Sequence, residues 1–157
     1  MLTENDHKVL KRLVKIAPNS TCIRASVASI LARNGEILIE SHNNTLPKFD
    51  CNKIGCIRDI RNVPSGSNRE ICYGLCAEQF LVAQAAKDQI STKDTTIYVT
   101  THPCRICECL IVSAGIKRVV YVHGYPDVLP QYDPFKKHGV ELIHAKEYDT
   151  LPKPFDV

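Results

Sequence analysis

The chain has 157 residues, 44% of them hydrophobic and 24% charged, with a formal net charge of +3. This suits a single domain over residues 1–157 with a sizeable core, and the composition excludes a disordered chain. Three further classes are not expected: membrane-spanning (no apolar run nears roughly 18 residues), secreted (Met1 to Asp6 has no basic or apolar signal region) and nucleic-acid-binding (its cations form no stripe), leaving a cytoplasmic protein.

Asp6 to Ala17 places Val9, Leu10, Leu13 and Val14 at helical spacing, which predicts an amphipathic helix packed on a sheet and stopped by Pro18. Ser26 to Ala32 and Glu36 to Glu40 read as two strands, and Asn34-Gly35 between them suits a tight antiparallel hairpin. From His42 to Tyr73, Pro, Gly, Asn and Cys recur without any sustained period, which predicts a long ordered loop; a loop of that length inside a domain needs something to offset its ordering entropy. Regular patterns then resume. They give a helix from Cys76 to Asp88, a strand Thr95 to Thr101, a helix Cys104 to Ala114, a strand Arg118 to Val122, a short helix Tyr132 to Lys137 and a strand Val140 to His144. The alternation predicts an α/β protein of three layers: a mixed five-stranded sheet that starts with the hairpin and carries helices on both faces.

Eight cysteines in a chain without a secretion signal are better read as metal-binding or catalytic than as disulfides. The helix from Cys76 runs roughly 20 Å out, and the strand after it returns roughly 23 Å, so the starts of the two central helices meet. Cys76, Cys104 and Cys107 converge there, at two positive dipole ends, with Pro103 suited to a helix start. Three thiolates with one position left open match a catalytic Zn2+ site, because structural sites are closed by a fourth protein ligand. Glu78, two residues after Cys76, is placed to move protons beside it. The set matches the H-x-E and P-C-x-x-C signature of zinc deaminases, in which Cys can replace His. The bland readings are half of a structural zinc knuckle, or buried thiols with no metal. Three thiolates carry one negative charge more than one His and two Cys, so compensation is expected; Arg105, between two ligand cysteines, is the candidate for it.

The sequence resembles the deoxycytidylate (dCMP) deaminases of the cytidine deaminase-like superfamily from about Thr21 to His144. The resemblance rests on Val63-Pro64-Ser65-Gly66, Cys76-Ala77-Glu78-Gln79, Tyr98 to Cys107 and Ala114 to Tyr121. It implies the cytidine-deaminase-like fold, conversion of dCMP and water to dUMP and ammonia, a homo-oligomer, and dCTP and dTTP as effectors. It also implies that Cys76, Cys104 and Cys107 hold zinc, that Glu78 is the proton shuttle, that Asn43 contacts the sugar, and that backbone groups of Ala77 and Thr101 grip the pyrimidine edge.

Two departures stand out. Relatives read Gly-Tyr-Asn-Gly where this chain has Ser41-His42-Asn43-Asn44, so a shift of one would put Asn44 in the role of Asn43. Cys76 stands where most deoxycytidylate deaminases have histidine, a substitution familiar from cytidine deaminases that act on free nucleosides. Arg69, Arg58 and Ser65 are candidates for the 5′-phosphate. Cys22, Cys51, Cys56 and Cys72, in or beside the long loop, form a candidate second, structural zinc site that would give the loop its reason for order; extra Cys or His at such places resembles microbial and phage members of the family. Scattered reduced thiols are the alternative. Cys109 is the odd thiol, expected in the core; His123, His138 and His144 are expected as surface or capping residues; His102 is a candidate for shaping the pocket, and Tyr125 for stacking on a base. Two other functions remain open: a deaminase of bases within nucleic acid, which should show a basic track, and an inactive zinc-binding module, which would have no use for Glu78.

Overall fold

Thr3 and Asp6 begin the first element by capping each other. The Asp6 N–H donates to the Thr3 hydroxyl at 3.2 Å and the Thr3 N–H donates to the Asp6 carboxylate at 2.7 Å, a reciprocal pair that opens helix α1 (Glu4–Ile16). The computed structural model describes residues 1–64, 67–124 and 129–148. Pro18 lies in a 3-10 turn, Ala17–Asn19, immediately after α1. Strands β1 (Ala28–Arg33) and β2 (Glu36–His42) pair antiparallel across Asn34 and Gly35, whose φ angles of 52° and 83° are those the hairpin needs.

The segment expected as an unbroken loop holds short regular elements. Strand β3 (Asn44–Thr45) pairs antiparallel with β4 (Gly74–Leu75), closing the segment at its base. Between them lie single-turn helices α2 (Cys51–Ile54) and α3 (Ile57–Ile60) and a 3-10 turn, Arg69–Ile71. Four residues cannot display a 3.6 period, which is why the sequence pattern did not reveal them. Asp50 caps α2 by accepting from the Asn52 N–H at 3.0 Å, and Phe49 stacks on Tyr73 with ring centroids 4.4 Å apart.

Helix α4 (Ala77–Lys87), strand β5 (Thr96–Thr101), helix α5 (Arg105–Ser113), strand β6 (Arg118–His123), helix α6 (Pro134–Lys137) and strand β7 (Glu141–His144) follow as the pattern indicated, to within a residue or two. The last helix is shorter, with Pro130–Tyr132 forming a separate 3-10 turn. The main sheet has the order β2-β1-β5-β6-β7, with β1 antiparallel to both its neighbours and β5, β6 and β7 parallel.

Alternation along the strands divides the core between two faces. Ile30, Tyr98, Val120 and Val122 pack under α1 against Val9, Leu10, Leu13 and Ile16. Leu31, Ile97, Val99, Val119 and Tyr121 face the other way, onto Leu81, Ala85, Ile111 and Phe135 of α4, α5 and α6. One helix on one face and three on the other make the three layers. On the α1 side Arg118 grips the buried Asp6 through two hydrogen bonds of 2.6 and 2.9 Å, and the Tyr98 hydroxyl donates to the same carboxylate at 2.6 Å.

Candidate metal centre and active-site cavity

α4 follows β4 of the small two-stranded sheet and α5 follows β5 at the centre of the main sheet, and their N-termini are neighbours. Cys76 is the N-cap of α4, Cys104 is the N-cap of α5, and Cys107 lies in the first turn of α5. Their sulfurs all lie within 4.8 Å of one another. A tetrahedral zinc with sulfurs at about 2.3 Å needs them about 3.8 Å apart, so the set fits the ion with side-chain adjustment alone. Cys76 and Cys107 are buried and Cys104 is half-buried.

The thiols hydrogen-bond among themselves, and the exchange is uneven. Cys104 is pulled well below the ordinary thiol range by hydrogen bonds from Cys107 and Cys76, whereas its sulfur pushes Cys107 far up and Cys76 up to about 12. A cation among the three sulfurs is what would let all three ionise.

Glu78, in the first turn of α4, is 4% exposed, and burial pushes its carboxyl up to about 7. That value suits a group that must both take and give a proton near neutral pH. Gln79 locks the start of the helix: its side-chain oxygen accepts from the Cys76 N–H at 2.8 Å.

A cavity of about 420 Å³ opens over these groups, bordered by Asn43, Asn44, Ala77, Thr101, His102, Arg58 and Arg69 as well as by Glu78, Cys76 and Cys104. The Thr101 hydroxyl is buried with no hydrogen-bond partner, as is Nε2 of His102. Asn43 is already engaged, its amide donating to the Ala25 carbonyl and its oxygen accepting from the Val27 N–H, both at 2.9 Å, so it shapes the rim through the backbone before β1. Asn44 accepts from the Thr21 hydroxyl. Ser65 and Tyr125 lie outside the described residues.

Arg69 reaches inward from an exposed stem, and its guanidinium donates to the Cys76 sulfur at 2.6 Å. Arg105, the expected compensating cation, does something else: it pairs with the buried Glu108 carboxylate at 2.5 Å and donates to the Tyr132 carbonyl at 3.4 Å. One turn of α5 separates residues 105 and 108, so Arg105 folds over its own helix rather than back to the sulfurs. Glu108 was not expected; it is 2% exposed, burial raises its carboxyl, and His102 lies 3.9 Å from it.

Cys22, Cys51, Cys56 and Cys72 all line the same cavity, and Cys51 is pushed up by burial and by the neighbouring Cys56, Cys72 and Cys22. No three of these four sulfurs come within 4.8 Å of one another, a closeness that Cys76, Cys104 and Cys107 do reach. Cys109 is exposed, not in the core: two positions past Cys107 turns it about 200° around α5, out to solvent. Of the histidines, His138 caps α6, but His123 is buried and His144 stacks on Tyr121 with centroids 4.7 Å apart, because both sit on strands of the inner sheet.

The family profile described as the cytidine and deoxycytidylate deaminase zinc-binding region matches residues 3–123. The chain belongs to this family. Among its relatives, the deoxycytidylate deaminase of Schizosaccharomyces pombe is 30% identical over 111 residues, covering 69% of this chain and 34% of that protein. The Saccharomyces cerevisiae deoxycytidylate deaminase is 30% identical over 139 residues, 87% of this chain and 43% of that protein. The chain thus spans less than half the length of these curated relatives. The dCMP deaminase of cyanophage S-TIM5, solved in complex with dCMP and dUMP, superposes with a TM-score of 0.72 at 26% identity, covering 92% of this chain and 98% of that one. The deaminase fold expected from the sequence is therefore present. Among the described residues, no helix is long and apolar enough to cross a membrane.

Proposed function

We propose that the protein is a zinc-dependent deaminase converting dCMP and water to dUMP and ammonia. The observation that carries this reading is the convergence of three cysteine sulfurs within 4.8 Å at two helix starts, with the buried Glu78 carboxyl in the first turn beside them. Cys76, Cys104 and Cys107 would hold Zn2+, which when bound supplies a Lewis acid that makes water a competent nucleophile near pH 7. Glu78 takes a proton from the attacking water and delivers it to ring N3. It then carries the proton of the new C4 hydroxyl to the 4-amino group, which leaves as ammonia as the C4 carbonyl forms. Its carboxyl, raised to about 7 by burial, suits both directions of transfer.

The base would enter the cavity against the Ala77 backbone and Thr101, at the N-terminus of α4, where the first N–H groups of the helix have no partner within it. Asn43 borders the sugar, with Asn44 next to it. Arg58 and Arg69 are the cations for the 5′-phosphate, Arg69 through the N–H groups that its contact with Cys76 leaves over. The likeness to the cyanophage enzyme, which binds dCMP and dUMP, supports a nucleotide over a nucleoside. Cysteine at position 76 is the feature that speaks for the free nucleosides.

A second, structural Zn2+ held by Cys22, Cys51, Cys56 and Cys72 belongs to the same proposal. Its support is that the four thiols line the same cavity, at the short elements they would order. We also infer a cytoplasmic homo-oligomer regulated by dCTP and dTTP that takes no nucleic-acid substrate and binds no membrane; the family resemblance supports the effectors and the assembly. The test is ammonia release from a panel of dCMP, CMP, dCTP, cytidine, deoxycytidine and a cytosine-containing oligonucleotide, with Glu78→Ala as the control. Turnover of dCMP is expected; turnover confined to the unphosphorylated compounds or to the oligonucleotide would overturn the assignment.

A further inference from the structure

We propose that Ile106 is a specificity-determining residue of the cavity: its side chain lies against the C5–C6 edge of the cytosine ring and limits the substituent that C5 can carry. The proposal rests on the dCMP deaminase reading and deepens it.

The proposed proton transfer orients the ring. C4, the atom attacked, has two ring neighbours, N3 and C5. Glu78 belongs to α4, so N3 faces the start of that helix. C5, on the other side of C4, then faces the start of α5, whose N-cap Cys104 belongs to the same sulfur cluster. In the first turn of α5, Arg105 is folded onto Glu108, and Cys107 and Glu108 are buried, which leaves Ile106 as the side chain that borders the cavity.

Apolar character at this place is not needed by the fold. α5 packs on the sheet through Ile111, whereas Ile106 is 61% exposed. An isolated exposed apolar side chain is ordinary on a protein surface, but Ile106 stands between two of the clustered cysteines at the wall of a cavity. The other apolar side chains of that wall have different neighbours. Leu75 precedes Cys76 on the α4 side, and Ile23 and Val27 belong to the segment before β1 that Asn43 holds.

Chemistry and shape both fit. The C5–C6 edge is the part of the cytosine ring that carries no hydrogen-bonding group, so an apolar neighbour leaves no polar group unpaired. Isoleucine has two heavy atoms on Cβ, which in a helix leaves it one strongly preferred χ1 rotamer. A methyl group added at C5 therefore meets a stiff wall rather than a side chain that swings aside.

The test is the preference for 5-methyl-dCMP over dCMP in the full chain, read as a ratio of kcat/KM for ammonia release and, without turnover, as a ratio of Kd from calorimetry on Glu78→Gln protein. Ile106→Ala removes the wall at a position outside the core. It should raise the relative preference for 5-methyl-dCMP by about tenfold or more, since one methylene in an apolar pocket changes discrimination by about 10–200-fold. Leu75→Ala, at the apolar residue on the α4 side, should leave the ratio within about threefold of the parent.

A ratio that Ile106→Ala does not move, or that Leu75→Ala moves as far, would overturn the proposal and leave the reaction assignment intact. Failure of the underlying reading looks different: the parent protein would release ammonia from neither nucleotide, and this proposal would fall with it.

Discussion

The backbone N–H of Cys76 is held by the side-chain oxygen of Gln79 at 2.8 Å, so the residue that starts α4 is fixed by the third residue of the helix it starts. The sulfur at 76 and the carboxylate at 78 therefore enter the cavity from a locked turn. Gln79→Ala should cost about 1 kcal/mol of stability, as loss of a cap does. Beyond that, it should loosen the thiol cluster, and a several-fold weaker zinc affinity in the folded variant is the measurement that checks it.

Glu78 faces the opposite balance, because the proposed reaction requires a buried carboxyl that the fold does not favour. Its pKa is raised to about 7 from an ordinary 4.5, so the stability it contributes is full below pH 4.5 and is lost as pH rises through 7. Glu78→Gln should reduce turnover by at least about 10²–10⁴-fold. In chelator-stripped protein it should also raise the melting temperature, by more at pH 8 than at pH 5, which thermal scans at the two values would show.

Asp6 is the reverse case. Burial alone would raise its carboxyl, but hydrogen bonds from Arg118, the Thr3 backbone and Tyr98 hold it well below the usual carboxylate range. Its contribution is present above pH 3.8, the ordinary value, and fades as the solution is acidified below that. Asp6→Asn leaves Arg118 without its buried partner and should cost about 3 kcal/mol at pH 7, with a smaller difference from the parent at pH 3. Urea denaturation at the two pH values measures both, and dCMP turnover of the folded fraction should be unaffected.

Zinc analysis separates the two proposed metal sites. Two ions per chain are expected, falling to one in Cys104→Ser with loss of activity, and to one in Cys56→Ser with greater protease sensitivity in the 42–73 segment. A parent protein with a single zinc would remove the Cys22, Cys51, Cys56 and Cys72 site from the proposal.

Arg105→Ala should now behave as a structural change. Its partner is Glu108, and Arg105 itself is half-exposed, so a cost of about 1 kcal/mol is expected. Zinc affinity should stay at the parent level; a fall of about tenfold or more would return Arg105 to the metal centre.

Sequence alone determined the features that depend on neighbours along the chain. Val9, Leu10 and Leu13 at helical spacing, Asn34-Gly35 between two short apolar runs, and the lengths of α4 and β5 set the elements and brought Cys76 to Cys104 and Cys107, because periods and rises per residue are local properties. Only the tertiary structure decided which cation serves the sulfurs and which thiol meets solvent. Arg105 lies between Cys104 and Cys107 in sequence but pairs with Glu108, while Arg69, which reaches the Cys76 sulfur, arrives from a segment whose single-turn helices leave no periodic trace. Side-chain pairing follows where a backbone comes to rest and what it buries, and for the stretch between β3 and β4 that is set by contacts distant in sequence.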